Sequence, residues 1–85
     1  MMFTIELSSY ASKFLKKSEK DIAARLITRI EKLTIDPFPS DMKRVVNRKE
    51  KIFRVRVGDY RIQYTVDYDT KIIFISDMDK RPRAY

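Results

Sequence analysis

Two alternating runs meet at Gly58-Asp59, and that junction constrains the fold more than any other part of the chain. Phe53-Arg54-Val55-Arg56-Val57 precedes it and Tyr60-Arg61-Ile62-Gln63-Tyr64 follows it. Period-two alternation is the pattern of a half-buried strand, and glycine at the first of two central residues suits a type II′ hairpin turn. A two-residue loop also fixes the register. Val57 then opposes Tyr60, Val55 opposes Ile62 and Phe53 opposes Tyr64, giving one apolar face. On the other face Arg56 falls opposite Arg61, and Arg54 opposite Gln63. Like charges directly across a strand pair are destabilising. The sequence offers no matching carboxylate cluster to offset them, so Arg54, Arg56 and Arg61 read as a site for an anion. Guanidinium forks fit phosphate geometry and keep their charge at any ordinary pH.

The rest of the chain supplies a cover for the apolar face. Phe3 to Leu7 alternates as a short strand, and Ser8 or Ser9 can cap the helix that follows. Tyr10, Ala11, Phe14 and Leu15 form the stripe of that helix. Ser18 is a second cap candidate ahead of a longer helix, whose stripe is Ile22, Ala23, Leu26, Ile27, Ile30 and Leu33. Asp36-Pro37-Phe38-Pro39 stops it, because a residue before proline is disfavoured in the helical region. Strands are then expected at 43–47, 51–57, 60–67 and 71–77, with Met78 to Tyr85 too polar and too broken by Pro82 to continue the last one. On this reading no core residue lies beyond Ile75. The aromatic residues fall mostly in the core by alternation, with Tyr85 the exposed exception. The fold class is α+β in the order β-α-α-β-β-β-β: an N-terminal strand, then an antiparallel helical hairpin packed on one face of a mostly antiparallel sheet. Residues 1–85 are read as one domain.

Charge narrows the function. The chain carries a formal net charge of +7, and residues 43–85 hold twelve basic against six acidic side chains. A basic surface on one part of a small domain attracts a polyanion. There is no cysteine and no histidine, so disulfides, thiolate zinc sites and imidazole chemistry are excluded. Asp67/Asp69 and Asp77/Asp79 lack calcium-loop spacing and fall where turns favour Asp; no metal and no cofactor is expected. The start, Met-Met-Phe-Thr-Ile-Glu, lacks the basic and apolar regions of a signal peptide, and no apolar run approaches membrane-spanning length. A cytosolic protein without membrane contact is expected. Up to this point RNA and DNA, and binding and cleavage, stay undistinguished.

The segment Phe53-Arg54-Val55-Arg56-Val57-Gly58-Asp59-Tyr60-Arg61-Ile62-Gln63-Tyr64 resembles the YRIRVGDYRIIY stretch of RelE-type toxins. The ending Asp79-Lys80-Arg81-Pro82-Arg83-Ala84-Tyr85 resembles their GHRREVY-like tail, and Ser9-Tyr10-Ala11-Ser12-Lys13-Phe14-Leu15-Lys16-Lys17 and the stop at Asp36-Pro37 also fit. The resemblance to the RelE/ParE superfamily covers essentially the whole chain. It implies the toxin of a type II toxin–antitoxin system. In the RelE branch such a toxin enters the ribosomal A site and cuts messenger RNA without a metal, through attack of the ribose 2′-hydroxyl on the adjacent phosphate. By position, Arg54 and Arg56 match the paired basic residues of the third strand, and Arg61 matches the basic residue opening the fourth. Arg81 matches the tail arginine credited with stabilising transition-state charge or assisting the leaving group, and Tyr85 the terminal tyrosine that stacks on or activates the substrate. Lys51 and Arg83 are further RNA-binding candidates. The implied partners are the ribosome, messenger RNA and a RelB-like antitoxin with acidic amphipathic helices, in a toxin–antitoxin heterotetramer.

Two departures matter for mechanism. The family often has Lys where this chain has Arg54 and Arg56, and arginine is a poor general base. With histidine absent as well, the base falls to Tyr85, a depressed lysine or the ribosome. A ParE-like gyrase inhibitor that works by binding, and a plain basic RNA- or ribosome-binding module, are the alternative functions.

Overall fold

The computed structural model describes residues 2–45 and 49–81. Its elements are β1 (Thr4–Leu7), α1 (Ser9–Lys17), α2 (Lys20–Leu33), β2 (Lys43–Arg44), β3 (Phe53–Val57), β4 (Tyr60–Asp67) and β5 (Ile72–Lys80). The strands form one sheet in the order β1-β5-β4-β3-β2. β1 runs parallel to β5 and every other neighbouring pair is antiparallel. This is the α+β arrangement expected from the sequence, with both helices inserted between β1 and the remaining strands.

Helix α1 begins where Ser8, in extended backbone, accepts a hydrogen bond from the Ala11 N–H at 3.0 Å. Its Oγ also donates to the Ser76 carbonyl at 3.0 Å, which ties the helix start to β5. Ser18 does not cap α2. It closes α1, its hydroxyl turned back to the Phe14 carbonyl at 2.7 Å, and the α2 N-cap is Glu19 without a side-chain cap bond. Leu26, Ile30 and Leu33 of α2 are buried at helical spacing. Ile27, expected in the same stripe, is 44% exposed. It sits at the stripe's margin, in an apolar groove with Ile5, Leu7 and Leu15 beside the edge strand β1.

Against the helices the sheet sets Val55, Ile62, Tyr64, Ile73, Ile75 and Met78, all nearly inaccessible. Fully burying each such side chain contributes roughly 1.5–3 kcal/mol. The Tyr64 hydroxyl donates to the Pro37 carbonyl at 2.8 Å, pinning the loop that leaves α2. Not all aromatic residues outside the tail are core: Tyr10, Tyr68 and Phe74 are exposed. Phe74 lies on the face away from the helices.

The β3–β4 register is the one the hairpin dictates, from Val57↔Tyr60 through Arg56↔Arg61, Val55↔Ile62 and Arg54↔Gln63 to Phe53↔Tyr64. Gly58 has φ +58°, whereas Asp59 does not lie at positive φ. Positive φ at the first central residue alone is the mark of a II′ turn. The flanking expectations need correction. The described part of β2 is Lys43–Arg44, and the residues 46–48 expected to extend it and turn lie outside the described residues. β3 starts at Phe53, so Lys51 precedes the strand.

The largest difference is in β5, which continues to Lys80 rather than ending at Asp77. A β-bulge explains it. Gln63 pairs with Asp77 but Tyr64 pairs with Ile75, so Ser76 is the extra residue. Simple alternation from Ile73 and Ile75 would drive Asp77 into the core, which is why the polar stretch looks like a strand end. The bulge resets the phase. Met78 then enters the core at 1% exposure, and Asp77 and Asp79 move to the open face.

Candidate functional site

Two rows of side chains cross the open face, because residues directly paired across strands point to the same side. One row runs Lys43, Arg54, Gln63, Asp77 from β2 to β5; the next runs Arg56, Arg61, Asp79 from β3 to β5. Both rows are basic on the β2–β3 side and acidic on β5. The Arg56–Arg61 opposition is therefore real, and Lys43 opposite Arg54 adds a second like-charge pair that the sequence did not single out.

The supposed lack of a carboxylate is wrong for Arg61. Its Nε donates to Asp79 Oδ1 at 3.1 Å and its Nη2 to Oδ2 at 3.0 Å, a side-by-side fork on a side chain only 15% exposed. These bonds hold the Asp79 carboxyl below the usual carboxylate range, against the opposing effect of burial; Arg81 adds to the lowering. The same pairing raises the Arg61 guanidinium above its ordinary value. Asp79 takes two of five N–H donors, which leaves the rest of the fork available to another anion.

Arg81 joins this group from the first residue past β5. Its backbone N–H donates to the Asp59 carbonyl at 2.6 Å, fastening the strand end to the hairpin turn, and its Nε donates to Asp79 Oδ2 at 3.3 Å. Its side chain remains 63% exposed. One carboxylate thus gathers two guanidiniums that lie 20 positions apart in sequence.

Arg54 and Arg56 have no carboxylate partner among the described residues. With Lys43, Asp41 and Gly58 they line a groove of about 290 Å³ at the β3 edge. Asp41 is itself engaged, accepting from Arg29 Nη2 at 2.6 and 2.7 Å. The structure therefore brings Arg54, Arg56, Arg61 and Arg81 to one end of the open face and adds Lys43 and Asp79. Lys51 is exposed ahead of β3 and does not line this groove. Arg83 and Tyr85 lie outside the described residues. Asp67 uses its carboxylate locally, accepting from the Asp69 and Thr70 N–H groups in the turn after β4.

Chemically, such a surface is able to bind a polyanion and to offer fixed positive charge to a phosphoryl oxygen. Asp79 was legible only as a turn residue, since its partner is set by the bulge. Lys43 could have been found by extending the hairpin register one strand further.

A family model described as "ParE toxin of type II toxin-antitoxin system, parDE" matches residues 5–85. A Methanocaldococcus jannaschii protein that bears a RelE toxin name is 34% identical over 88 residues, spanning 100% of this chain and 97% of that protein. Among solved structures, RelE in the RelE–RelB complex of Pyrococcus horikoshii superposes with a TM-score of 0.83 at 26% identity, over 99% of this chain and 100% of that one. The isolated Escherichia coli RelE toxin shares the fold at a TM-score of 0.81 and 14% identity, over 96% and 87% of the two chains. No helix among the described residues is long and apolar enough to cross a membrane. With a family match across nearly its whole length and RelE toxins as relatives in sequence and fold, the chain belongs to the RelE/ParE superfamily of type II toxin–antitoxin toxins.

Proposed function

We propose that this toxin is a ribosome-dependent endoribonuclease that halts translation by cutting messenger RNA. The observation that carries this reading is the meeting of Arg61 and Arg81 at Asp79, beside Arg54, Arg56 and Lys43, which have no carboxylate partner among the described residues. A binder needs only a basic surface. Two guanidiniums oriented by one carboxylate are suited to charge that develops at a single phosphate.

In the proposed reaction Lys43, Arg54 and Arg56 hold the backbone of the message. The ribose 2′-oxygen attacks the adjacent phosphorus as its proton departs, and the P–O5′ bond breaks. A 2′,3′-cyclic phosphate forms, and the departing 5′-oxygen takes up a proton. Arg81, exposed at the strand end, and the open donors of Arg61 stabilise the extra negative charge on the phosphoryl oxygens. No imidazole is present, so the 2′-hydroxyl proton goes to Tyr85, to a lysine or to a ribosomal group. No metal enters the scheme. The partner expected to silence the toxin is a RelB-like antitoxin with acidic amphipathic helices, joined in a heterotetramer; its binding weakens as salt rises. The P. horikoshii relative was solved with RelB.

A second reading is favoured by the ParE family model that matches residues 5–85: inhibition of DNA gyrase by binding. One experiment separates the two. The toxin is expressed, and cleavage of translating messages is mapped at codon resolution. Cuts confined to translated message support the nuclease; intact message with DNA damage supports the gyrase inhibitor.

A further inference from the structure

The edge of β3 carries a second basic surface, on the helical side. Arg25, Thr28, Arg29 and Lys32 recur along α2 at positions i, i+3, i+4 and i+7, so they share one helix face. That face lines a groove of about 370 Å³ whose far wall is Arg56 and Val57 of β3. In the described residues β2 pairs with β3 only at Arg54 and Phe53, which leaves the Val57 end of β3 without an outer strand. Arg56 lines this groove and the open-face groove alike. The two grooves meet at this one side chain.

The charges within the helical groove are not equivalent. Arg29 is held by Asp41, and its Nε is buried without a partner. Its part is to fasten α2 to the segment before β2. Arg25, Lys32 and Arg56 are exposed and have no carboxylate partner among the described residues. The Arg25 guanidinium lies against the hairpin turn, where a Cβ on Gly58 would come within 3.0 Å of its Nη2.

The chemistry of the groove limits what it can hold. Among the described residues its apolar lining side chains are Ala24 and Val57, and its neutral hydrogen-bonding side chain is Thr28. Among the described residues its lining has no aromatic ring to stack a base and no amide or carboxylate to read a base edge. Such a surface recognises a sugar-phosphate backbone irrespective of sequence. An acidic amphipathic helix would need apolar side chains as anchor sites three and four residues apart, and the apolar side chains among the lining residues are Ala24 and Val57.

We propose that this groove is a second RNA-backbone subsite, so that a strand lying on Arg54 and Arg56 continues around the β3 edge onto Arg25 and Lys32. The proposal rests on the RNA reading above and adds a track that the catalytic face does not contain.

The test uses a fluorescent single-stranded RNA with 2′-O-methyl riboses, which binds without being cut, and measures affinity across a salt series. The proteins compared are wild type, Lys32→Gln, Arg25→Gln/Lys32→Gln and Arg54→Gln/Arg56→Gln, with thermal melts confirming that each is folded. The helix double variant is expected to bind roughly tenfold more weakly, with a salt slope shallower by about 1.4, as for two lost phosphate contacts on a single strand. Lys32→Gln, far from the turn, is expected to show about half of that slope change. Wild-type affinity and slope in both helix variants, with loss only in Arg54→Gln/Arg56→Gln, overturn the subsite and leave the nuclease reading standing. Unchanged binding in all three variants overturns the subsite together with the RNA contacts assigned to Arg54 and Arg56. Helix variants that keep RNA binding but lose an acidic antitoxin peptide also overturn it, and assign the groove to a protein partner.

Discussion

Arg61 and Asp79 face each other across β4 and β5 and share two charge-assisted hydrogen bonds, at 3.1 and 3.0 Å. Asp79 stands where the RelE-like tail that this sequence resembles has glycine. Its carboxylate neutralises one arginine of the Arg56–Arg61 opposition and orients the other guanidinium it touches, Arg81. The proposed anion site and its stabilising counter-charge are built from the same residues.

Stability should therefore fall, not rise, when the pair is broken. Arg61→Gln removes the fork and leaves Asp79 partly buried with only the exposed Arg81, at a cost of about 1–3 kcal/mol. Asp79→Asn is expected to cost a similar amount, since it leaves Arg61 beside Arg56 without relief. Urea unfolding of the single and double variants measures the coupling. Additive effects would mean that the pair adds nothing to the fold.

The acid limb of stability should carry the signature of Asp79. Its folded value is lowered from 3.8, chiefly by hydrogen bonds from Arg61. The unfolded chain therefore takes up this proton first as pH falls. The contribution is complete above the ordinary value and is lost as pH drops through the lowered one. Asp41 and Asp67, also lowered, leave a residual slope. Below pH 4 the Asp79→Asn melting temperature should fall less steeply than that of wild type; superimposable slopes would assign the acid sensitivity to the other carboxylates.

Binding and cleavage should separate along the open face. Arg81→Ala is expected to keep affinity for programmed ribosomes within a few-fold and to slow single-turnover cleavage roughly a hundredfold. Arg54→Ala and Arg56→Ala should weaken binding and flatten its salt dependence. Equal loss of both by Arg81→Ala would make it an anchor, and normal cleavage would remove it from the mechanism.

The end of β5 should behave as core. Met78→Ala empties a fully buried position and is expected to cost about 2–4 kcal/mol. Denaturant unfolding with an unchanged m-value checks this. A loss below about 0.5 kcal/mol would mean that the strand frays before residue 78.

The hairpin was legible because a two-residue turn and a period of two leave one register, so Val55, Ile62 and Tyr64 in the core and Arg56 opposite Arg61 followed from local pattern alone. The helices were legible for the same reason, their stripes and stops being local, apart from the cap expected at Ser18 and the core place expected for Ile27. The order of strands in the sheet, the parallel pairing of β1 with β5 and the partner of Arg61 were not. They depend on which strand lies beside β4 and in what phase, and that phase is set by one extra residue, Ser76. A bulge has no mark in the alternation before it; it shows only when Met78 is found inside and Asp77 outside. The sequence by itself determined the helical cover, the basic hairpin and the family. Tertiary pairing alone decided that Asp79 lies across from Arg61 and that Arg81 is drawn to it. Those contacts join residues far apart in the chain, through a register that no local pattern specifies.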